Sequence, residues 1–324
     1  MKSLDKKLKR IRNGKYKPSD FIIADAKDGD MAFGVTCPGP ADKNSWKPRE
    51  AYLQGMRDMS ASGLVDIMLM SVSSAEILQN QGAFNKSSVT PAVRLNDTTD
   101  IWCARHSSYR ESFSEPFASA DINTVKPFSK LGLYSMTFSN NLEADKASLE
   151  AYCRFRVAAR NAGIKHFLEV FNPAFDIGIP EKELGHYIND MIIKALAGVT
   201  KGDAPQFLKI QFNGAGAMQE LCSYDPENLV AGILGGSAGT TRDTFELAFQ
   251  AEQAGARVAL FGRKINLSEA PLTLVELMRK TIEQNLTPVE AVRAYHAALK
   301  EAGIKAQRSL RQDMVITDPI LKSR

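Results

Sequence analysis

The chain has 324 residues, 44% hydrophobic and 24% charged, with 41 basic against 37 acidic side chains. That balance is ordinary for a globular protein and argues against a disordered, fibrous or strongly polyanion-binding chain. Four scattered cysteines with no Cys-x-x-Cys pair speak against a zinc ribbon or disulfide scaffold, and no apolar run of about 18 residues marks a membrane span.

From the start of the chain, residues 1–17 carry a basic run (Lys2, Lys6, Lys7, Lys9, Arg10, Arg12, Lys15, Lys17) that reads as a solvated first helix. It lacks the interleaved aromatics that a nucleic-acid stacking surface needs, so neither a nucleic-acid nor a membrane partner is expected. No signal-peptide pattern precedes the first apolar run, and a cytoplasmic location is the expectation. Short apolar runs then alternate with longer helical patterns. Strands are predicted at residues 21–25, 66–71, 91–96, 130–136, 166–171, 207–212, 230–235 and 257–262. Amphipathic helices are predicted at 149–161, 181–196 and 242–254, with two more at 272–283 and 288–302. Ala-Gly helix stops precede the strands at Gly163 and Gly255.

Eight strand–helix pairs at this length predict one (β/α)8 TIM barrel over 1–324, with a basic N-terminal segment and extra C-terminal helices. A doubly wound open sheet is the alternative, but no Gly-x-Gly-x-x-Gly follows the first strand. The surplus residues fall in loops after strands 1 and 3, at 31–46 and 97–129. Both follow strand C-terminal ends, where barrel enzymes place their active sites.

Lone charges inside apolar strands nominate the chemistry. In Gln206-Phe-Leu-Lys-Ile-Gln-Phe212, Lys209 shares a face with Phe207 and Gln211. A lysine in a low-dielectric interior loses its proton readily and becomes a nucleophile. On the neighbouring strand, Glu169 is the lone charge of Phe167-Leu-Glu-Val-Phe171 and is placed to shuttle protons. Strand 1 ends in Asp25, favoured as a further carboxylate over Asp28. Lys130 opens strand 4 and is expected to depress the pKa of a neighbouring lysine by charge repulsion. Two small-residue turns, Gly236-Ser237-Ala238-Gly239 and Gly262-Arg263, follow strands 7 and 8 and suit a phosphate group. The four histidines show no metal-ligand spacing, so neither a metal nor another cofactor is expected.

Taken together these stretches resemble the class I aldolases of the tagatose-bisphosphate aldolase type. More loosely they resemble the archaeal-type fructose-bisphosphate and deoxyribose-phosphate aldolases. The matching segments are Lys130-Leu-Gly-Leu-Tyr134, Phe167-Leu-Glu-Val170, Phe207-Leu-Lys-Ile210, Ser237-Ala-Gly239 and Gly262-Arg263, in family order. The resemblance implies a barrel, a Schiff base on Lys209, proton transfer at Glu169, and Asp25 and Lys130 lining the site. It also implies a phosphorylated sugar as the small-molecule partner. The chain departs from the family at Asp25-Ala-Lys-Asp-Gly29 after strand 1 and at Phe171-Asn-Pro173, which lacks a tyrosine some relatives use. The expected reaction is reversible cleavage of a phosphorylated ketose to a dihydroxyacetone-phosphate-like product and an aldehyde. The alternatives are a barrel isomerase or lyase without a covalent intermediate and a non-catalytic sugar-phosphate binder. Base rates favour a homo-oligomer.

Overall fold

The computed structural model describes residues 1–322. Eight parallel strands close on themselves: β1 (Ile22–Lys27), β2 (Ile67–Met70), β3 (Thr90–Arg94), β4 (Leu131–Thr137), β5 (Lys165–Phe171), β6 (Leu208–Ile210), β7 (Gly232–Leu234) and β8 (Val258–Phe261). Neighbours around the ring follow chain order, and β8 pairs with β1. The predicted (β/α)8 barrel is thus the observed fold.

Alternation along each strand sorts its side chains. Ile22, Ala24, Ile67, Leu69, Ala92, Leu133, Phe167, Phe207, Val230, Val258 and Leu260 belong to the cluster that fills the barrel. Ile23, Met68, Val93, Leu168, Leu208, Ile210 and Ala259 join the other cluster, packed under the helices. Phe167 and Phe207 stack at 4.6 Å between ring centroids and form the floor beneath the next inward-facing layer.

The first helix, α1 (Ser3–Arg12), is not simply a solvated basic helix. Leu4, Leu8 and Ile11 join the barrel-filling cluster, so α1 plugs the N-terminal mouth with its apolar stripe. Its basic residues tie the plug down. Lys7 pairs with Asp66 at 2.8 Å, and the Arg12 guanidinium donates to the Gln206 carbonyl at 2.8 Å.

Between strands run α2 (Arg49–Ser62), α3 (Val72–Asn80), α4 (Leu142–Ala162), α5 (Glu181–Ala197), α6 (Ala215–Tyr224) and α7 (Thr241–Gln253). α8 (Pro271–Ile282) and α9 (Pro288–Glu301) pack on α7 and complete the shell. After β3 there is no long helix. Residues 97–129 instead form an irregular excursion, held by an antiparallel pairing of Asp97–Thr98 with Pro116–Phe117. This loop and the one after β1 both border the cleft at the C-terminal mouth, as the strand order requires.

Candidate active site

Register brings the central residues together. Ser135 on β4 is the partner of Glu169 on β5, and Glu169 is the partner of Lys209 on β6. Parallel partners point to the same face, so the three side chains form one row directly above the Phe167–Phe207 floor. Lys209 Nζ lies 2.5 Å from Glu169 Oε1, and both residues are buried. The other carboxylate oxygen, Oε2, accepts from Ser135 Oγ at 2.8 Å.

Arg94 at the end of β3 closes the cluster. Its Nε donates to Asp28 Oδ2 at 2.7 Å, one terminal nitrogen donates to Glu169 Oε2 at 3.1 Å and the other to Ser135 Oγ at 2.9 Å. Asn96 fixes Ser135 in turn. It accepts from the Ser135 amide at 2.6 Å and donates to the Ser135 carbonyl at 2.7 Å. Two cations and two carboxylates therefore sit in one water-poor layer with no net charge, the condition under which buried charges are tolerated. Burial pushes the Asp28 carboxyl up. The Arg94 guanidinium and the Lys209 ammonium outweigh it, so the group ends below the usual carboxylate range. Asp28 is thus held ionised beside the amine.

Asp28, not Asp25, is the strand-1 carboxylate of this cleft. β1 runs on to Lys27, and Ile22, Ala24 and Ala26 are its inward residues. Asp25 therefore faces the helices. It is fully buried, lies 3.4 Å from Lys27, and is held above the usual carboxylate range by that burial, which Lys27 only partly opposes. Asp25 and Asp28 are three positions apart, so a strand cannot present both inward.

Lys130 is likewise elsewhere. It precedes β4, at the N-terminal mouth of the barrel, where it is exposed and borders a recess shared with Lys2 and Lys165. The opening residue of a parallel strand lies a full strand length from the C-terminal mouth, so Lys130 does not line the cleft that holds Lys209.

The expected phosphate cradle is split. Gly236, Gly262 and Arg263 line the cleft, with Arg110 from the loop after β3. Arg263 stands over the Phe33 ring at 5.3 Å, which orients its guanidinium. Gly262 has no room for a side chain, since a Cβ there would lie 2.6 Å from the Ala26 carbonyl oxygen. Ala238 and Gly239 face a separate recess behind the turn, and Ser237 is exposed and borders neither. Nor is the N-terminus of α7 open to an anion. The Thr241 amide donates to Asp313 at 2.8 Å, and Thr240 and Asp243 cap each other.

Sequence reading singled out Lys209 and Glu169, which meet. In the sequence alone Arg94 reads, with Arg105 and Arg110, as a charge on or near the long loop that meets a second anionic group or solvent, and Ser135 carries no reading. The same test, a lone polar residue on the inward face of an apolar strand, finds both. Arg94 follows Ala92, and Ser135 follows Leu133. Among the described residues no three His, Cys, Asp or Glu side chains converge to hold a metal ion, and no helix is long and apolar enough to cross a membrane.

No family model matches the chain, and no curated protein matches it. Solved structures do. The fructose-bisphosphate aldolase from Slackia heliotrinireducens DSM 20476 is 12% identical, with a TM-score of 0.66 over 91% of this chain and 90% of that one. An archaeal fructose 1,6-bisphosphate aldolase is 13% identical, with a TM-score of 0.64 over 87% and 99%. Another archaeal fructose-1,6-bisphosphate aldolase, with its catalytic lysine covalently bound to the carbinolamine intermediate of the substrate, is 14% identical, with a TM-score of 0.62 over 86% and 99%. None of the three is a tagatose-bisphosphate aldolase, so the sugar in the first-named resemblance is not carried by them. In fold, this chain is similar to the archaeal fructose-bisphosphate aldolases.

Proposed function

We propose that the protein is a class I aldolase that forms a Schiff base between Lys209 and a phosphorylated ketose. The observation that carries this reading is the buried contact of Lys209 Nζ with Glu169 Oε1 at 2.5 Å, inside a charge-balanced cluster that opens to the catalytic mouth. The fold similarity supports it at the level of architecture, which alone does not fix chemistry.

Glu169 takes a proton from the Lys209 ammonium, and the free amine attacks the ketose carbonyl carbon. A carbinolamine forms. Protonated Glu169 returns its proton to the departing hydroxyl, water leaves, and an iminium remains on Lys209. Asp28, kept ionised by Arg94, removes the proton from the C4 hydroxyl. The C3–C4 bond breaks, its electron pair flows into the iminium, and the aldehyde departs. Protonated Asp28 then protonates the enamine at C3, and water hydrolyses the resulting iminium to free Lys209. The protein itself provides the electron sink, so the cycle invokes no cofactor. Gly236, Gly262, Arg263 and Arg110 hold the phosphate group. An arginine fork and close backbone approach suit a dianion.

Borohydride reduction in the presence of dihydroxyacetone phosphate tests the route. A stable adduct on the peptide containing Lys209 is expected, with none in Lys209→Met. Binding of the ligand without any adduct would overturn the covalent route and leave an electrostatic or non-catalytic role for Lys209.

A further inference from the structure

Behind the Gly236–Gly239 turn lies a second recess of about 350 Å³ between the loops after β7 and β8, which adjoins the Lys209 cleft at Asn266. Its size falls in the range of small-ligand sites. Lys264 from the turn after β8 borders it and is only 7% exposed. No carboxylate lies within ion-pair distance of this lysine among the described residues. The one hydrogen bond of its ammonium goes to the Ala238 carbonyl at 3.1 Å, so two of its three donors are unused. Lys47 and Arg308 also border the recess, are exposed, and make no hydrogen bond or ion pair through their side chains among the described residues. The one acid on the wall, Glu269, is already engaged. It accepts from Tyr295 Oη at 3.1 Å and from the Gln307 amide at 2.7 Å. Asp243 and Asp318 act on Lys264 from farther off, and the Asp243 oxygens are taken by Thr240, Thr317 and Asp318. Burial drives the Lys264 ammonium down to about 8 in spite of both. An anion beside it would offset that cost.

We infer that this recess is a second anion site, distinct from the substrate cleft, which takes the phosphate group of a small phosphorylated metabolite on Lys264, Lys47 and Arg308. Lys264 also holds the carbonyl of Ala238, two residues from Gly236 in the cleft wall. A ligand here is therefore mechanically linked to the turn that borders the substrate. The inference stands on the recess and does not need Lys209 to be a Schiff-base lysine.

Isothermal titration with inorganic phosphate tests it on the full chain. The unmodified protein is expected to bind two phosphates. Arg308→Gln, at an exposed position that cannot disturb the core, is expected to weaken one event about tenfold and leave the other. Combining it with Lys264→Met removes that event altogether. Arg263→Gln removes only the event that the Arg308 variant spares. The inference is overturned if the Arg308 and Lys264 variants leave the isotherm unchanged. It is equally overturned if all the variants suppress one and the same event, since the recess would then be part of the substrate's own phosphate site.

Discussion

At the scale of single residues, Arg94 decides the state of the site. It is 4% exposed, and it touches the two carboxylates that flank Lys209. Its removal in Arg94→Met takes from Asp28 its ion-pair partner and leaves Glu169 with Lys209 and Ser135 alone, at a cost of about 3–5 kcal/mol. The pH response follows from Asp28. A carboxylate whose folded pKa lies below its unfolded value contributes stability above the unfolded value, about 3.9, and loses it as pH falls through the folded one. Without Arg94, burial of Asp28 is no longer outweighed, and the group takes up its proton at higher pH. The acid limb of kcat/KM and the onset of acid unfolding should both move upward in Arg94→Met. Arg94→Lys should lie between, because it keeps the charge and loses the fork. An acid limb unchanged in both variants would remove Arg94 from the positioning of Asp28. Lys209 and Glu169 were both visible in the sequence as lone charges in apolar strands. The choice of Asp28 over Asp25 was not, because it depends on where β1 ends, and propensity places such ends poorly.

At the scale of elements, the row Ser135–Glu169–Lys209 exists because three strands share one register. β6 contributes only Leu208–Ile210, and its position depends on close approach from β7. Gly232 on β7 makes that approach possible. A Cβ there would lie 2.6 Å from the Leu208 carbonyl oxygen and 2.7 Å from Val258 Cβ. Gly232→Ala is therefore expected to cost about 1–3 kcal/mol by overpacking. It should also lower kcat, because Leu208 immediately precedes Lys209. Gly216→Ala in α6, where a Cβ meets nothing within 4 Å, serves as control and should be neutral or stabilising by about 0.4–1 kcal/mol. Urea denaturation and steady-state rates on both variants would show whether the close approach matters. Equal behaviour would mean that β6 tolerates displacement. Elements with strong periodicity were legible, while α4 begins at Leu142, earlier than its pattern suggests. Its first turn is fixed by the Asn141 side chain, which accepts from the Ala144 amide, and Leu142 there is 78% exposed. A cap contributes no apolar periodicity to read.

At the scale of the whole molecule, the barrel is closed at one mouth and open at the other. α1 closes the N-terminal mouth with Leu4, Leu8 and Ile11, and the cleft opens at the opposite end. Leu8→Ala should cost about 2–5 kcal/mol by leaving a cavity against the barrel filling. Lys9→Ala, on the exposed face of the same helix, should stay within about 0.5 kcal/mol. Equal midpoints for the two variants in urea would show that the barrel stands without its plug. The basic run of residues 1–17 drew attention to charge, yet the apolar stripe beneath it is what places the helix.

The sequence by itself determined the alternation of eight strands with helices, the inward placement of Lys209 and Glu169, and the siting of both long loops at one mouth. These follow from periods of 2 and 3.6 and from the fixed direction of a parallel strand. The tertiary structure alone decided which strand-1 carboxylate joins the site, that Lys130 lies at the far pole, and that Arg94 bridges Asp28 and Glu169. It also decided that the small-residue turn after β7 divides two recesses, with Lys264 behind it. Each of these depends on where strands end and which side chains meet across the barrel. Those are distances between residues remote in the chain, and no local pattern encodes them.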